Sequence, residues 1–222
     1  PFPGFERLET ALKKLIHRHE SFRTSFHKIG GKPVQQVCER VEFVLRPLGS
    51  AAAYFSDPGA FETLMSSFIR PFDLSSAPLF RAAAAEGEPG LLLVDMHHIV
   101  SDGASVEIFR DELARLLRQE GLSPLTVQYK EYAAWQNRRL EDPSIHRQAD
   151  YWLNRFKDDV PVLDLPADFP RPAVQRFQGA TLRGNIGPGE TAALKALGER
   201  ENASLYMVLL AAYFVLLSKL TN

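Results

Sequence analysis

The sequence predicts a domain of the α/β or α+β class. Amphipathic helical patterns and short strand patterns are interleaved along the chain, which points to sheets packed against helices rather than to an all-helical or all-strand fold. At 222 residues the chain is long enough for a substantial core. Its 45% hydrophobic and 24% charged residues match the globular average, excluding a disordered tail, a collagen-like chain and a disulfide-rich miniprotein.

The elements follow in order. Glu6 to His19 places Leu8, Leu12, Leu15 and Ile16 on one helical face. Ser21 to Ile29 alternates Phe22, Thr24 and Phe26 against Arg23 and Ser25, as a half-buried strand does. Gly30-Gly31 signals a turn, and Pro33 to Leu48 again favours strand. Asp57-Pro58 predicts a cap and first helical residue for a helix reaching Phe68. Leu79 to Glu86 and Leu91 to His98 are predicted strands, the second apolar enough for an interior position. Ala104 to Gln119 predicts a helix with Val106, Ile108, Phe109, Leu113, Leu116 and Leu117 inward. Tyr129 to Phe156 predicts one or two more, with Tyr129, Tyr132 and Trp135 as core aromatics. Pro161 to Ala180 holds four prolines and no helical period, which predicts an extended crossing segment. Ala180 to Ile186 is a predicted short strand, and Pro188 to Arg200 and Ser204 to Leu220 are predicted helices. The apolar run Leu205 to Leu217 is short of the ~20 residues of a membrane helix and predicts a buried core helix.

Charge and cysteine content narrow the function. Lys plus Arg is 26 and Asp plus Glu is 27, so a footprint for nucleic acid or an anionic membrane is missing. Cys38 has no partner for an internal disulfide, and no secretory signal opens the chain, so a reducing, cytoplasmic setting is expected. Cys38 itself is expected to be inert.

Chemistry concentrates in Met96 to Phe109, MHHIVSDGASVEIF. Two histidines end an apolar strand, Asp102-Gly103 follows, and a helix begins. Neighbouring strand side chains point to opposite faces, so one histidine is expected in a site and the other in packing. Asp102 can hold an imidazole or pin the loop through an arginine. Gly103 permits a turn, and the helix directs its N-terminal amides toward the loop. A histidine at a strand end is most often a core or capping residue, and His146 to Asp150 repeats the HxxxD spacing on a polar helix face. The site is set apart by its combination of paired histidines, apolar strand, Asp-Gly and helix. Adjacent strand residues diverge and no third strong ligand lies near, so no metal site is expected. Serine-nucleophile and phosphate-loop motifs are absent.

HHIVSDG resembles the HHxxxDG signature of the condensation domains of nonribosomal peptide synthetases, within a superfamily that includes chloramphenicol acetyltransferase. Arg18 to Phe26, RHESFRTSF, resembles RHExLRTxF with Phe22 where leucine is usual. Tyr129 to Gln136, YKEYAAWQ, resembles YxDYAxW with Glu131 for aspartate. RPFDLSSAPLFRA and LDLPADFPRP resemble the family's connecting segments, and all come in the family's order.

The resemblance implies a chloramphenicol acetyltransferase-like lobe, an α+β sandwich with a mixed sheet and flanking helices, truncated. Residues 1–160 would form the N-terminal lobe, 161–180 the proline-rich crossover and 181–222 the start of the second lobe. About half of a condensation domain is expected, cut at both ends. The implied activity is amide formation between a carrier-bound acyl donor and the amine of a carrier-bound aminoacyl acceptor. Phosphopantetheine would belong to donor and acceptor carrier domains, next to an adenylation domain, and no cofactor to this chain. The resemblance assigns His98 to the active site, as base or as positioning group, and His97 to packing and loop shape. It pairs Asp102 with Arg23, which the strand pattern also places inward, where a buried guanidinium needs a carboxylate. Gly103 would offer an amide to the oxyanion. Other HHxxxDG acyltransferases acting on CoA thioesters, epimerising relatives and a non-catalytic carrier-docking module stay open as alternatives.

Overall fold

A computed structural model describes residues 2–158, 160, 162–175 and 179–221. Pro1 and Asp159 of the expected first lobe, Pro161, Arg176, Phe177 and Gln178 of the expected crossover, and Asn222 lie outside the described residues. The chain divides into two compact units, Pro1–Ile145 and His146–Asn222.

In the first unit, helix α1 (Phe5–Arg18) leads through a 3-10 turn (Glu20–Arg23) into the hairpin β1 (Thr24–Ile29) and β2 (Lys32–Val37). Gly30 and Gly31 connect the strands with φ of 57° and 82°, the left-handed pair that a two-residue hairpin turn requires. This turn fixes the antiparallel register, with Phe26 opposite Gln35 and Thr24 opposite Val37. Strand β3 (Arg46–Ser50), helices α2 (Ala52–Ser56) and α3 (Pro58–Phe68), and strands β4 (Phe80–Glu86) and β5 (Leu91–Met96) follow. β3 runs parallel to β4 and β5 antiparallel to it, giving a mixed three-stranded sheet in the order β3-β4-β5. Asp57 caps α3 by accepting from the Gly59 N–H at 2.9 Å, with Pro58 as the first helical residue. Helices α4 (Gly103–Leu117) and α5 (Tyr129–Leu140) complete the unit, and α6 (Pro143–Arg155) spans the division.

The core lies on both faces of β4. Phe80, Ala82 and Ala84 meet Leu12, Leu15 and Ile16 of α1 and Phe109 and Leu113 of α4. Ala83 meets Leu64 and Phe68 of α3 on the other face. The alanine run is therefore the interior strand, and the leucine-rich β5 expected there lies at the sheet edge among the described strands. Small side chains let helices approach both faces of one strand, which bulky leucines would hold apart. Inward packing of α4 holds for Phe109 and Leu113, with Leu116 and Leu117 partly buried, whereas Val106 and Ile108 are exposed.

Four further expectations are corrected. Ser21 to Arg23 is a 3-10 turn, not strand, so Phe22 and Arg23 are both buried where alternation would separate them. Residues 38–45 form no strand, and Ala180 to Ile186, also expected as strand, has no regular structure because nothing pairs with it among the described residues. Tyr129, Tyr132 and Trp135 form an exposed ladder along α5, with ring centroids 5.8 and 5.7 Å apart, rather than a core stripe.

In the second unit, α7 (Pro188–Arg200) packs on α8 (Leu205–Thr221), the two bent by 103°. A Cβ at Gly198 would stand 2.7 Å from the Ala203 carbonyl oxygen, so the tight connection requires glycine there. α8 is apolar all round but has no buried residue, contrary to the expected core helix; α7 is the helix chiefly packed along it among the described residues. Among the described residues no single helix is long and apolar enough to cross a membrane.

Candidate active site

β5 ends at Met96, so the paired histidines follow the strand instead of lying on it. The His97 N–H continues the sheet ladder to the Leu79 carbonyl at 3.1 Å, and the chain then turns with the Val100 N–H bonded to the His97 carbonyl at 3.0 Å. His97 holds this turn with its own ring. Nδ1 accepts from the Ile99 N–H at 3.0 Å, and the Ser101 hydroxyl donates to the His97 carbonyl at 3.2 Å. The His97 ring meets Phe72 edge to face at 6.0 Å. Phe72 is fixed in turn by the Arg81 guanidinium, 3.7 Å above its ring centre, and Arg81 also donates to the Phe68 and Pro71 carbonyls.

The turn leaves His98 exposed, lining a cavity of about 360 Å³ in the first unit. Ser21, Thr24, Phe26, Gln35, Ile99, Val100, Ser101, Asp102, Ser105 and Tyr129 form the rest of its wall. The volume falls at the small end of the ~300–1,000 Å³ typical of ligand pockets. The imidazole is reachable from solvent and stands among hydroxyl, carboxamide and aromatic side chains.

Asp102 caps α4. Its Oδ1 accepts from the Ser105 N–H at 2.8 Å and the Ser105 hydroxyl at 2.7 Å. The Ser105 hydroxyl, then the Ser105 backbone N–H, hold the Asp102 carboxyl below the usual carboxylate range, with a smaller contribution from His98. A carboxylate beside the ring favours any positive charge that develops there.

Arg23 does not pair with Asp102. Its guanidinium is inward, as the sequence predicts, but donates to the carbonyls of Ile16 at 3.2 Å, His17 at 3.1 Å, Glu39 at 3.4 Å and Cys38. The 3-10 turn carries Arg23 to the carboxyl end of α1, where unpaired carbonyls give a guanidinium its partners without a carboxylate. Gly103 is the first residue of α4, is exposed and is not on the cavity wall. Its φ is ordinary and a Cβ would meet nothing within 4 Å, so the fold of this chain does not demand glycine there.

The RHES segment is wired to α4 and α5. Buried Glu112 of α4 accepts from Arg18 Nε at 3.1 and 3.2 Å and lies 2.6 Å from His19 Nε2. Gln128, the cap of α5, donates to the Arg18 carbonyl at 2.9 Å and accepts from the Glu20 N–H at 3.2 Å. Lys130 adds an ion pair to Glu20 at 2.7 Å. These bonds place Tyr129, the first residue of α5, on the cavity wall.

Sequence reasoning found His98 and Asp102 but missed Ser21, Thr24, Phe26, Gln35 and Tyr129 as cavity residues. The hairpin register set by Gly30-Gly31 carries the signal for Phe26 and Gln35. No three His, Cys, Asp or Glu side chains converge on a metal-sized site among the described residues.

The family model for the condensation domain matches residues 4–222, and the chain belongs to that family. It is similar to gramicidin S synthase 2 of Aneurinibacillus migulanus, 41% identical over 217 residues, covering 97% of this chain and 5% of that protein. It is likewise similar to tyrocidine synthase 3 of Brevibacillus parabrevis, 43% identical over 220 residues, covering 98% of this chain and 3% of that one. The chain thus spans a small part of the length of these relatives. Among solved structures, the X-domain from teicoplanin biosynthesis matches with a TM-score of 0.83 at 25% identity, covering 97% of this chain and 49% of that one. That X-domain has also been solved in complex with OxyB.

Proposed function

We infer that this chain carries the histidine-bearing part of a condensation domain that forms amide bonds between carrier-bound substrates. The observation that supports this is the exposed His98 imidazole, on the wall of a cavity of about 360 Å³ beside an ionised Asp102. The acceptor amine attacks the donor thioester carbonyl, the C–N bond forms, and the C–S bond breaks to release the donor's pantetheine thiol. An α-amino group titrates near 7.7–8.0, so much of it is already neutral at working pH and a strong base is unnecessary. Attack leaves a positive nitrogen, whose proton His98 accepts and the departing thiolate recovers. Such assistance is worth roughly 10²–10⁴-fold. Asp102 stabilises the imidazolium, and the turn held by His97 fixes where the ring stands. Phosphopantetheine belongs to the donor and acceptor carriers, which with an adenylation domain are the proposed partners, in a cytoplasmic setting.

A second reading, a docking module without chemistry, is favoured by the likeness to an X-domain solved with OxyB. The higher identity to synthases, 41% and 43%, supports the catalytic one. The test loads two carrier domains with a donor and an aminoacyl acceptor and adds the full-length protein carrying this sequence. An amide product on the acceptor carrier is expected. Product only from acyl-CoA and an alcohol, or from neither pair, would overturn the assignment.

A further inference from the structure

The hairpin delivers one of two adjacent glutamines to the histidine cavity. Gln35 lies directly opposite Phe26, and both line the cavity with His98. Gln36 lies opposite Ser25 on the other face, where the Ser25 hydroxyl is 2.9 Å from His27 Nε2. The Gln35 side chain is exposed, and its carboxamide makes no hydrogen bond among the described residues. A carboxamide offers an acceptor oxygen and two N–H donors and carries no charge at any pH. That set complements a secondary amide, whose N–H and C=O present the opposite pair. A thioester has no N–H to offer.

We propose that Gln35 is a substrate-binding residue, pairing with a secondary amide of the thioester-borne chain and so holding that chain in the cavity. This rests on the condensation reading above. Two parts of such a substrate carry the amide, the donor's peptide backbone and the pantetheine arm. Phe26 beside Gln35 supplies an apolar surface for the rest of the chain.

The experiment measures condensation by the full-length protein with carrier-bound substrates, varying donor and acceptor in turn. Gln35→Ala is compared with Gln36→Ala, and each is assayed with native substrates and with amide-to-ester replacements in the donor backbone or in the pantetheine arm. Gln35→Ala is expected to raise KM about fivefold to tenfold with kcat nearly unchanged, the loss of one or two neutral hydrogen bonds. The penalty should vanish with one ester replacement, which identifies the amide bound. Gln36→Ala should match the wild type. Equal KM for Gln35→Ala and wild type, or a penalty that persists with both replacements, overturns the inference while an inactive His98→Ala leaves the condensation reading standing. A wild type that forms no amide product overturns both.

Discussion

Asp102 Oδ1 takes two hydrogen bonds from a single residue, the N–H of Ser105 at 2.8 Å and its hydroxyl at 2.7 Å. The carboxylate therefore closes the first turn of α4 on itself and holds the helix end beside His98. These bonds lower the folded-state pKa of Asp102, so its stabilising contribution is present above the ordinary carboxylate pKa and is lost as pH falls through the folded value. Asp73 and Asp142 are lowered in the same way by Ser75 and Ser144. Thermal melts from about pH 6 down to about pH 3 should show Asp102→Ala less stable than wild type at the upper end, the gap closing on acidification. A gap that is constant over the range would contradict the capping role.

Arg23 is held by carbonyls at the end of α1 and just after β2, so its loss should act independently of Asp102. Arg23→Ala removes the donor from four carbonyls, the Ile16 bond being the buried one, and should cost about 1–3 kcal/mol in urea unfolding. In the double variant the two effects should simply add. Strong coupling between them would restore the ion pair that the resemblance implies.

Glu112 of α4 bonds to two side chains of the RHES segment, Arg18 and His19. Glu112→Ala strands the Arg18 cation and should cost about 3 kcal/mol, measured by chemical denaturation. Glu112→Gln retains an acceptor for Arg18 and should cost less. Similar stability for Glu112→Ala and wild type would remove the cluster from the packing that sets Tyr129.

Arg81 combines its place over Phe72 with hydrogen bonds to two carbonyls. Arg81→Lys keeps the charge but not the planar stack and should cost about 1 kcal/mol. Loosening Phe72 should also weaken the edge contact that steadies the His97 ring. An unchanged melting temperature would argue that the stack is incidental.

What the sequence makes legible is what short-range chemistry decides. The apolar face of α1, the Asp57-Pro58 start of α3 and the glycine turn of the hairpin depend on residues within a few positions of one another, and all three stand in the structure. Position within the sheet is different. Whether alanines or leucines occupy the centre depends on which helices approach, so β4 takes the interior place expected of β5. Arg23 is inward as expected, but its partner differs, because a 3-10 turn interrupts the strand and carries the guanidinium to backbone carbonyls. His98 is legible through a local motif, whereas Gln35 and Tyr129 reach the cavity through strand pairing and a cap bonded to residues far away in sequence.

The most direct test concerns the imidazole at the cavity. His98→Ala in the full-length protein, followed under single turnover with loaded carriers, should slow amide formation roughly 10²–10⁴-fold. Its melting curve should stay that of the wild type, because the ring is exposed and makes no hydrogen bond among the described residues. Undiminished amide formation by His98→Ala would contradict the role given to this residue and, with it, the proposed chemistry of the site.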